Sequence, residues 1–320
     1  MSARKPSDRH APLRLPEGLG KVRPPAAGRA DLVVFLGPSL PAAEAQKLAR
    51  CRVLPPARQG DLWRALALQP KVIAIIDGVF ESVPSVWHHE ILAALDAGVA
   101  VLGASSMGAL RAAELWRQGM VGVGNIFRMY RDGELTDDAE VALLHAGPEV
   151  GFEAFTVPLV NVRHNAERAR KAKVLSSGEA KALVKAGQAE FFQDRTWDRV
   201  LEAARLAPKT RQRWDAWAKR RGLEDLKALD ARACLKAAEA LLKSGKRPAL
   251  GNRARPSSLV RRRRLREGAT LRDGGSLVRN QEILQALERR PDAGELTICG
   301  AAHSAAGRLG ERAGPHGHGR

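Results

Sequence analysis

A chain of 320 residues with 44% hydrophobic residues has the length for one large domain or two modest ones and enough apolar content for a core. Three scattered cysteines, Cys51, Cys234 and Cys299, argue against a disulfide framework and a cysteine metal cluster and fit a reducing compartment; no metal and no cofactor are expected. A net charge of +18 invites acidic partners, whereas no run nears the ~18 apolar residues of a membrane span and the basic N-terminus lacks the apolar stretch of a secretory signal, so the expectation is a soluble cytoplasmic protein.

Residues 1–30 are rich in Pro, Arg, Lys and Gly without periodicity and read as a disordered basic arm. Leu32 to Leu36 is a short apolar run stopped by Gly37-Pro38, the pattern of a buried strand, and Pro41 to Arg50 is helix-like. Val72 to Ile76 is β-branched, apolar on both faces and closed by Asp77-Gly78, which suits a parallel sheet covered on both sides. Ser85 to Ala97 reads as a helix, with Gly98 just past its end. A strand over Val99 to Leu102 then runs into Gly103-Ala104-Ser105-Ser106-Met107-Gly108, and Ala109 to Gln118 is a helix closed by Gly119. This alternation predicts an α/β fold with a parallel three-layer sheet core over residues 31–163.

From His164 to about Gly251 the spacing is helical, with amphipathic stretches at Glu179 to Phe192, Thr196 to Ala207 and Asp230 to Lys243. Residues 164–250 thus form an α-helical region, and 251–320 a basic, largely disordered tail with one helix expected around Gln281 to Arg289. The charge follows this division. Residues 31–163 carry 11 Lys/Arg against 15 Asp/Glu, whereas residues 164–250 carry 21 against 11. The basicity therefore lies outside the core.

In an open parallel sheet, ligands bind beyond the carboxyl ends of the strands. Gly37-Pro38-Ser39, Asp77-Gly78 and Gly103 to Gly108 all sit there. In the last segment a strand ends, two serines occupy a tight turn, and a helix begins at once. The N–H groups of Met107 and Gly108 then stand at a helix N-terminus, facing whatever Ser105 or Ser106 faces, an arrangement for an anion or an acyl-transfer oxyanion. Arg111 follows one turn later. The spacing is close to a nucleophile elbow without its Gly-x-Ser-x-Gly pattern, and the competing reading is that these serines only cap the helix. His88-His89-Glu90 lies on the preceding helix, where adjacent side chains point about 100° apart, so the two histidines cannot serve one site. Asp77 is placed to orient a catalytic group or to form a turn. Asp137, Asp138 and Glu140 near His145 lack the second histidine a metal site would need.

Phe35 to Leu40 (FLGPSL), Pro56 to Asp61 (PARQGD), Ile76 to Phe80 (IDGVF), Trp87-His88 with Glu90-Ile91-Leu92, Ser106 to Leu115 (SMGALRAAEL) and Gly119 to Phe127 (GMVGVGNIF) together resemble the TfuA-like family. The resemblance covers residues 31 to 163 and extends toward Arg195-Thr196. It implies a partner of YcaO enzymes, which activate a peptide amide with ATP, in thioamide formation and trifolitoxin-type peptide biosynthesis. The implied task is to supply sulfide by hydrolysing the C-terminal thiocarboxylate of a ubiquitin-like sulfur carrier. On that reading Ser106 is the nucleophile or an oxyanion ligand, His88 the base, and Asp77 or Glu90 its orienter. Arg111 holds the carrier's C-terminus, and Ser105, Met107, Gly108, Gly37 and Ser39 line the anion site. A non-catalytic adaptor that docks and activates a YcaO enzyme is the alternative. A nucleic-acid binder using the basic segments is a third reading, against which stands the single tyrosine available for stacking.

Overall fold

The structure, a computed structural model, describes residues 29–80, 83–245, 270–273 and 276–279. The expected helix at Gln281 to Arg289 and nearly all of the basic arm lie outside the described residues.

Five parallel strands form the central sheet: β1 (Leu32–Phe35), β2 (Arg52–Leu54), β3 (Val72–Ile75), β4 (Ala100–Gly103) and β5 (Val121–Gly122), in the order β2-β1-β3-β4-β5. β1, β3 and β4 are buried throughout, which is why their apolar runs are unbroken. β2 and β5 are edge strands only three and two residues long, too short to show a pattern in the sequence.

Side chains alternate between the two faces of the sheet. Leu32, Val34, Val72, Ala74, Ile76, Ala100 and Leu102 form one core with Ala45 and Ala49 from the region of α1 (Ala42–Leu48) and with Ala231, Cys234, Leu235 and Ala238 of α10 (Leu226–Ser244). On the other face α3 (His88–Asp96) and α4 (Met107–Leu115) pack against β3 and β4, and α2 (Asp61–Ala65) packs on α3. The core is a three-layer α/β sandwich. One covering helix, α10, comes from far along the chain, out of the stretch expected to be simply helical.

α5 (Gly124–Arg131) follows β5. A second apolar cluster holds α6 (Leu159–Lys171), α7 (Ser177–Ala189), α8 (Trp197–Ala203) and α9 (Pro208–Arg221) together through Leu159, Val162, Leu183, Val200, Trp214 and Trp217. Two buried asparagines one turn apart on α6 join this cluster to the start of α10. Asn161 Oδ1 accepts from Leu226 N at 2.9 Å and its Nδ2 donates to Asp225 at 3.0 Å. Asn165 accepts from Glu224 N at 2.9 Å and donates to Glu224 O at 2.8 Å. Farther along α10, Asp230 accepts from Asn125 N and Ile126 N at 2.9 and 2.7 Å, and so caps α5.

In a separate unit, β6 (Thr270–Asp273) pairs antiparallel with β7 (Ser276–Arg279), a regular element inside the stretch expected to be largely disordered.

α4 lies unusually close to the sheet at Gly108, where an added Cβ would stand 1.8 Å from Ile75 O. Gly108→Ala is expected to destabilise the fold by about 3 kcal/mol, as a buried backbone clash does. Gly178→Ala on α7, where nothing lies within 4 Å of an added Cβ, is expected to stabilise by up to about 1 kcal/mol. Urea denaturation of the two variants reads both signs, and equal effects would refute the close approach.

Candidate active site

The chain passes from β1 out to the edge strand β2 and then returns across β1 to β3. The strand order reverses between β1 and β3, and the crevice beyond their carboxyl ends is where open α/β sheets bind ligands. A cleft of about 700 Å³ lies there, lined by Pro38, Pro56, Arg58, Asp77, Gly78, Ser106, His145, Phe152, Phe192 and Lys227, among others. The floor comes from strand-end turns of the sheet. Phe192 and Lys227 come from the helical half of the chain.

Asp77 organises the floor. Its Oδ2 accepts from Gly37 N at 2.8 Å and Ser39 N at 3.0 Å, and its Oδ1 accepts from Ser39 Oγ at 2.6 Å. Ser105 Oγ donates to Ser39 Oγ at 2.8 Å. Hydrogen bonds thus run from the end of β4 to the end of β1 and on to the end of β3, all of them buried. Ala57 N to Asp77 O and Val79 N to Ala57 O, at 2.9 and 3.0 Å, fasten the loop after β2 to the same corner. Gly78 is required here, because a Cβ would meet the Met107 side chain at 2.6 Å.

The serine turn has a strained backbone. Ser105 has φ 68°, in the left-handed region that costs a residue with a Cβ roughly 1–3 kcal/mol and is held only where surroundings over-determine it. Ser106 follows as the N-terminal flanking residue of α4, yet its side chain makes no capping hydrogen bond. Capping therefore does not account for it, and it lines the cleft instead. Met107 N–H is the first donor of α4, with no acceptor available from its own helix. Gly108 N–H is directed at Ile76 O at 3.4 Å, so it is less free than the sequence implies.

Several expected site residues are engaged elsewhere. His88, the expected base, begins α3, and its Nε2 pairs with Glu114 Oε2 at 2.8 Å, on a partly exposed surface and not among the cleft residues. Against the upward pull of burial, this contact and Arg111 hold the Glu114 carboxyl below its ordinary value. Arg111 donates to Val86 O at 2.9 Å, Glu114 at 2.8 Å and Ser85 Oγ at 3.4 Å, and likewise lies off the cleft. Asp77 orients Ser39, not a histidine. Gly37 and Ser39 spend their donors on Asp77, so they shape the cleft floor without offering those groups to an anion.

Glu90 is a structural carboxylate. Fully buried, it accepts from Gly60 N at 3.1 Å, Leu62 N at 3.0 Å and Trp87 N at 2.6 Å, and so joins the starts of α2 and α3. Its hydrogen-bond partners do not include His88, which pairs with Glu114 instead.

The residue that sequence reasoning missed is Lys227. It is buried, lines the cleft, and donates to Val141 O at 2.9 Å. Its signal was present: Lys227, Ala231, Cys234 and Ala238 fall on one stripe of α10, and a lysine heading an apolar stripe stands out. Among the described residues, no group of three or more His, Cys, Asp or Glu side chains is placed to hold a metal ion, and no helix is long and apolar enough to cross a membrane.

Burial pushes the Glu90 carboxyl up to about 7, with the three backbone N–H groups opposing. Between its ordinary value near 4.5 and 7 the folded state therefore binds more protons than the unfolded chain, and stability falls as pH rises through that window. The melting temperature of the wild type is expected to drop from pH 5 to pH 8 by more than that of Glu90→Gln, whatever the offset between them. Parallel profiles would refute it.

No curated protein matches the chain significantly. Residues 77–196, a stretch that holds Asp77, Ser105 and Ser106, match the family model described as TfuA-like protein.

Proposed function

We propose that this chain is a partner of a YcaO-type enzyme in peptide backbone thioamidation and that it supplies sulfide by hydrolysing a thiocarboxylated ubiquitin-like sulfur carrier. The family supports the association with YcaO enzymes. The observation that carries the hydrolytic step is Ser106: a cleft-lining serine, not used as a cap, at the N-terminus of α4 beside the strand-order reversal.

In this mechanism the carrier's C-terminus enters the cleft and its thiocarboxylate carbon meets Ser106 Oγ. Attack gives a tetrahedral oxyanion, which the Met107 N–H and the positive end of α4 stabilise. Collapse breaks the C–S bond. The acyl group remains on Ser106, and sulfur leaves as hydrosulfide carrying the former hydroxyl proton. Water then cleaves the ester, releasing the carboxylate, restoring the serine and giving one proton to solvent. If Ser106 instead binds the oxyanion while water attacks directly, the products are the same.

The adaptor reading also has an observation in its favour. Leu144 on the cleft, together with Val150, Phe155 and Phe191, exposes large apolar side chains, as docking surfaces do.

Sulfide release from a thiocarboxylated ubiquitin-like carrier, without any YcaO enzyme, is expected with the wild type and is expected to fall at least about 100-fold in Ser106→Ala, as loss of a nucleophile or oxyanion donor does. Full release by the variant would remove Ser106 from the chemistry. No release by either protein would favour the adaptor.

A further inference from the structure

We propose that Lys227 is the cation that binds the anionic end of the substrate, so that the cleft is a receptor for a C-terminal carboxylate or thiocarboxylate. The nature of that anion rests on the hydrolase reading; the existence of an anion site does not.

Lys227 is 2% exposed, yet it lines a cleft of about 700 Å³. A buried ammonium without a counter-ion is costly, and proteins keep one only where it is paired or used. Its three N–H donors meet one protein acceptor, Val141 O at 2.9 Å, and among the described residues no carboxylate lies within ion-pair distance. Asp77 and Asp225 are near enough to be felt electrostatically. Their hydrogen bonds, however, go to other groups: those of Asp77 to Gly37 and Ser39, and those of Asp225 to Ala228 N and Asn161 Nδ2. Lys227 thus has more N–H donors than protein acceptors, and it lines the cleft that also holds Ser106.

The lysine is also held firmly. Asn161 and Asn165 fix the first residues of α10, and Asp230 anchors the next turn to α5. A side chain needed only to fill volume requires no such support. Burial lowers the pKa of Lys227, with Asp77 and Asp225 opposing. An arriving carboxylate favours the ammonium. Binding should therefore take up a proton at neutral to alkaline pH, and affinity should fall as pH rises.

Two other charged groups face the cleft. Arg58 is engaged with Asp61, and a guanidinium does not exchange protons in this range. His145 Nδ1 donates to Ala146 O at 2.7 Å.

The test is calorimetric titration of the full chain at pH 8, in two buffers of different ionisation enthalpy. The probes are triglycine with a free C-terminal carboxylate and triglycine amide. The expected result is that the carboxylate form binds with net proton uptake and the amide binds at least about tenfold more weakly, as loss of a charge-assisted hydrogen bond implies. Lys227→Met should lose both the preference and the uptake while keeping or raising the melting temperature, because an apolar side chain of similar length replaces a buried polar group with unmade hydrogen bonds. Equal binding of the two probes by the wild type, no proton uptake, or uptake that survives in Lys227→Met, would each overturn the proposal, and the wild-type arms decide even if the variant fails to fold. Carboxylate binding without sulfide release from the carrier would uphold the anion site and sink the hydrolase reading; sulfide release without carboxylate preference would do the reverse.

Discussion

The Asp77 carboxylate is the interaction on which the site depends. Three parallel strands ending side by side leave their last N–H groups without ladder partners, and these must be satisfied or solvated. A carboxylate can take several donors at once, and Asp77 gathers Gly37 N, Ser39 N and Ser39 Oγ onto its two oxygens. Ser39 then becomes the acceptor for Ser105, which helps to hold that residue at φ 68°. Once Ser105 is fixed in that conformation, Ser106 and the start of α4 have their direction. The carboxylate expected to orient a base instead orients the floor, and the floor aims the serine turn.

The second constraint comes from α10. A parallel sheet must be covered on both faces, and on this chain much of one face is covered by a helix more than a hundred residues downstream of the last strand. The detour brings a lysine to a cleft built by a segment that carries more acidic than basic residues. It also makes the helical half part of the site, since Phe192 and Lys227 line the same cleft as Asp77 and Ser106. Covering the sheet and furnishing the site are one structural act.

The sequence made the centre of this fold legible and its periphery obscure. β1, β3 and β4 announce themselves as doubly apolar runs, and the three strand-end turns expected to share a crevice do share one. β2 and β5 stayed hidden because two or three residues carry no period. At the site, the serine turn was readable because chemistry and backbone coincide within six consecutive residues. His88, Glu90 and Arg111 were misleading for a shared reason: polar residues at the start of a helix serve equally well as caps, ion pairs or catalysts. Glu90 proved to clamp two helix starts, while His88 and Arg111 meet on Glu114. Lys227 was one among 21 Lys/Arg of residues 164–250, and total charge cannot tell a buried cation from a solvated one.

The position of His88 away from the cleft does not weaken the hydrolytic reading, because the substrate itself relaxes the need for a strong base. An amide hydrolase must protonate a poor leaving group, and it borrows that proton from its nucleophile through a base. A thiocarboxylate carries its negative charge on the atom that departs, so the hydroxyl proton of Ser106 is accounted for once hydrosulfide forms. What the reaction demands instead is electrostatic. An anionic acyl carbon is a poor electrophile, and a nearby ammonium that draws charge from it, together with the Met107 N–H at the start of α4, answers that difficulty directly. A buried lysine lining the same largely apolar cleft as Ser106 is the form such an answer takes, since the low dielectric that makes the cation costly when empty makes it effective when occupied.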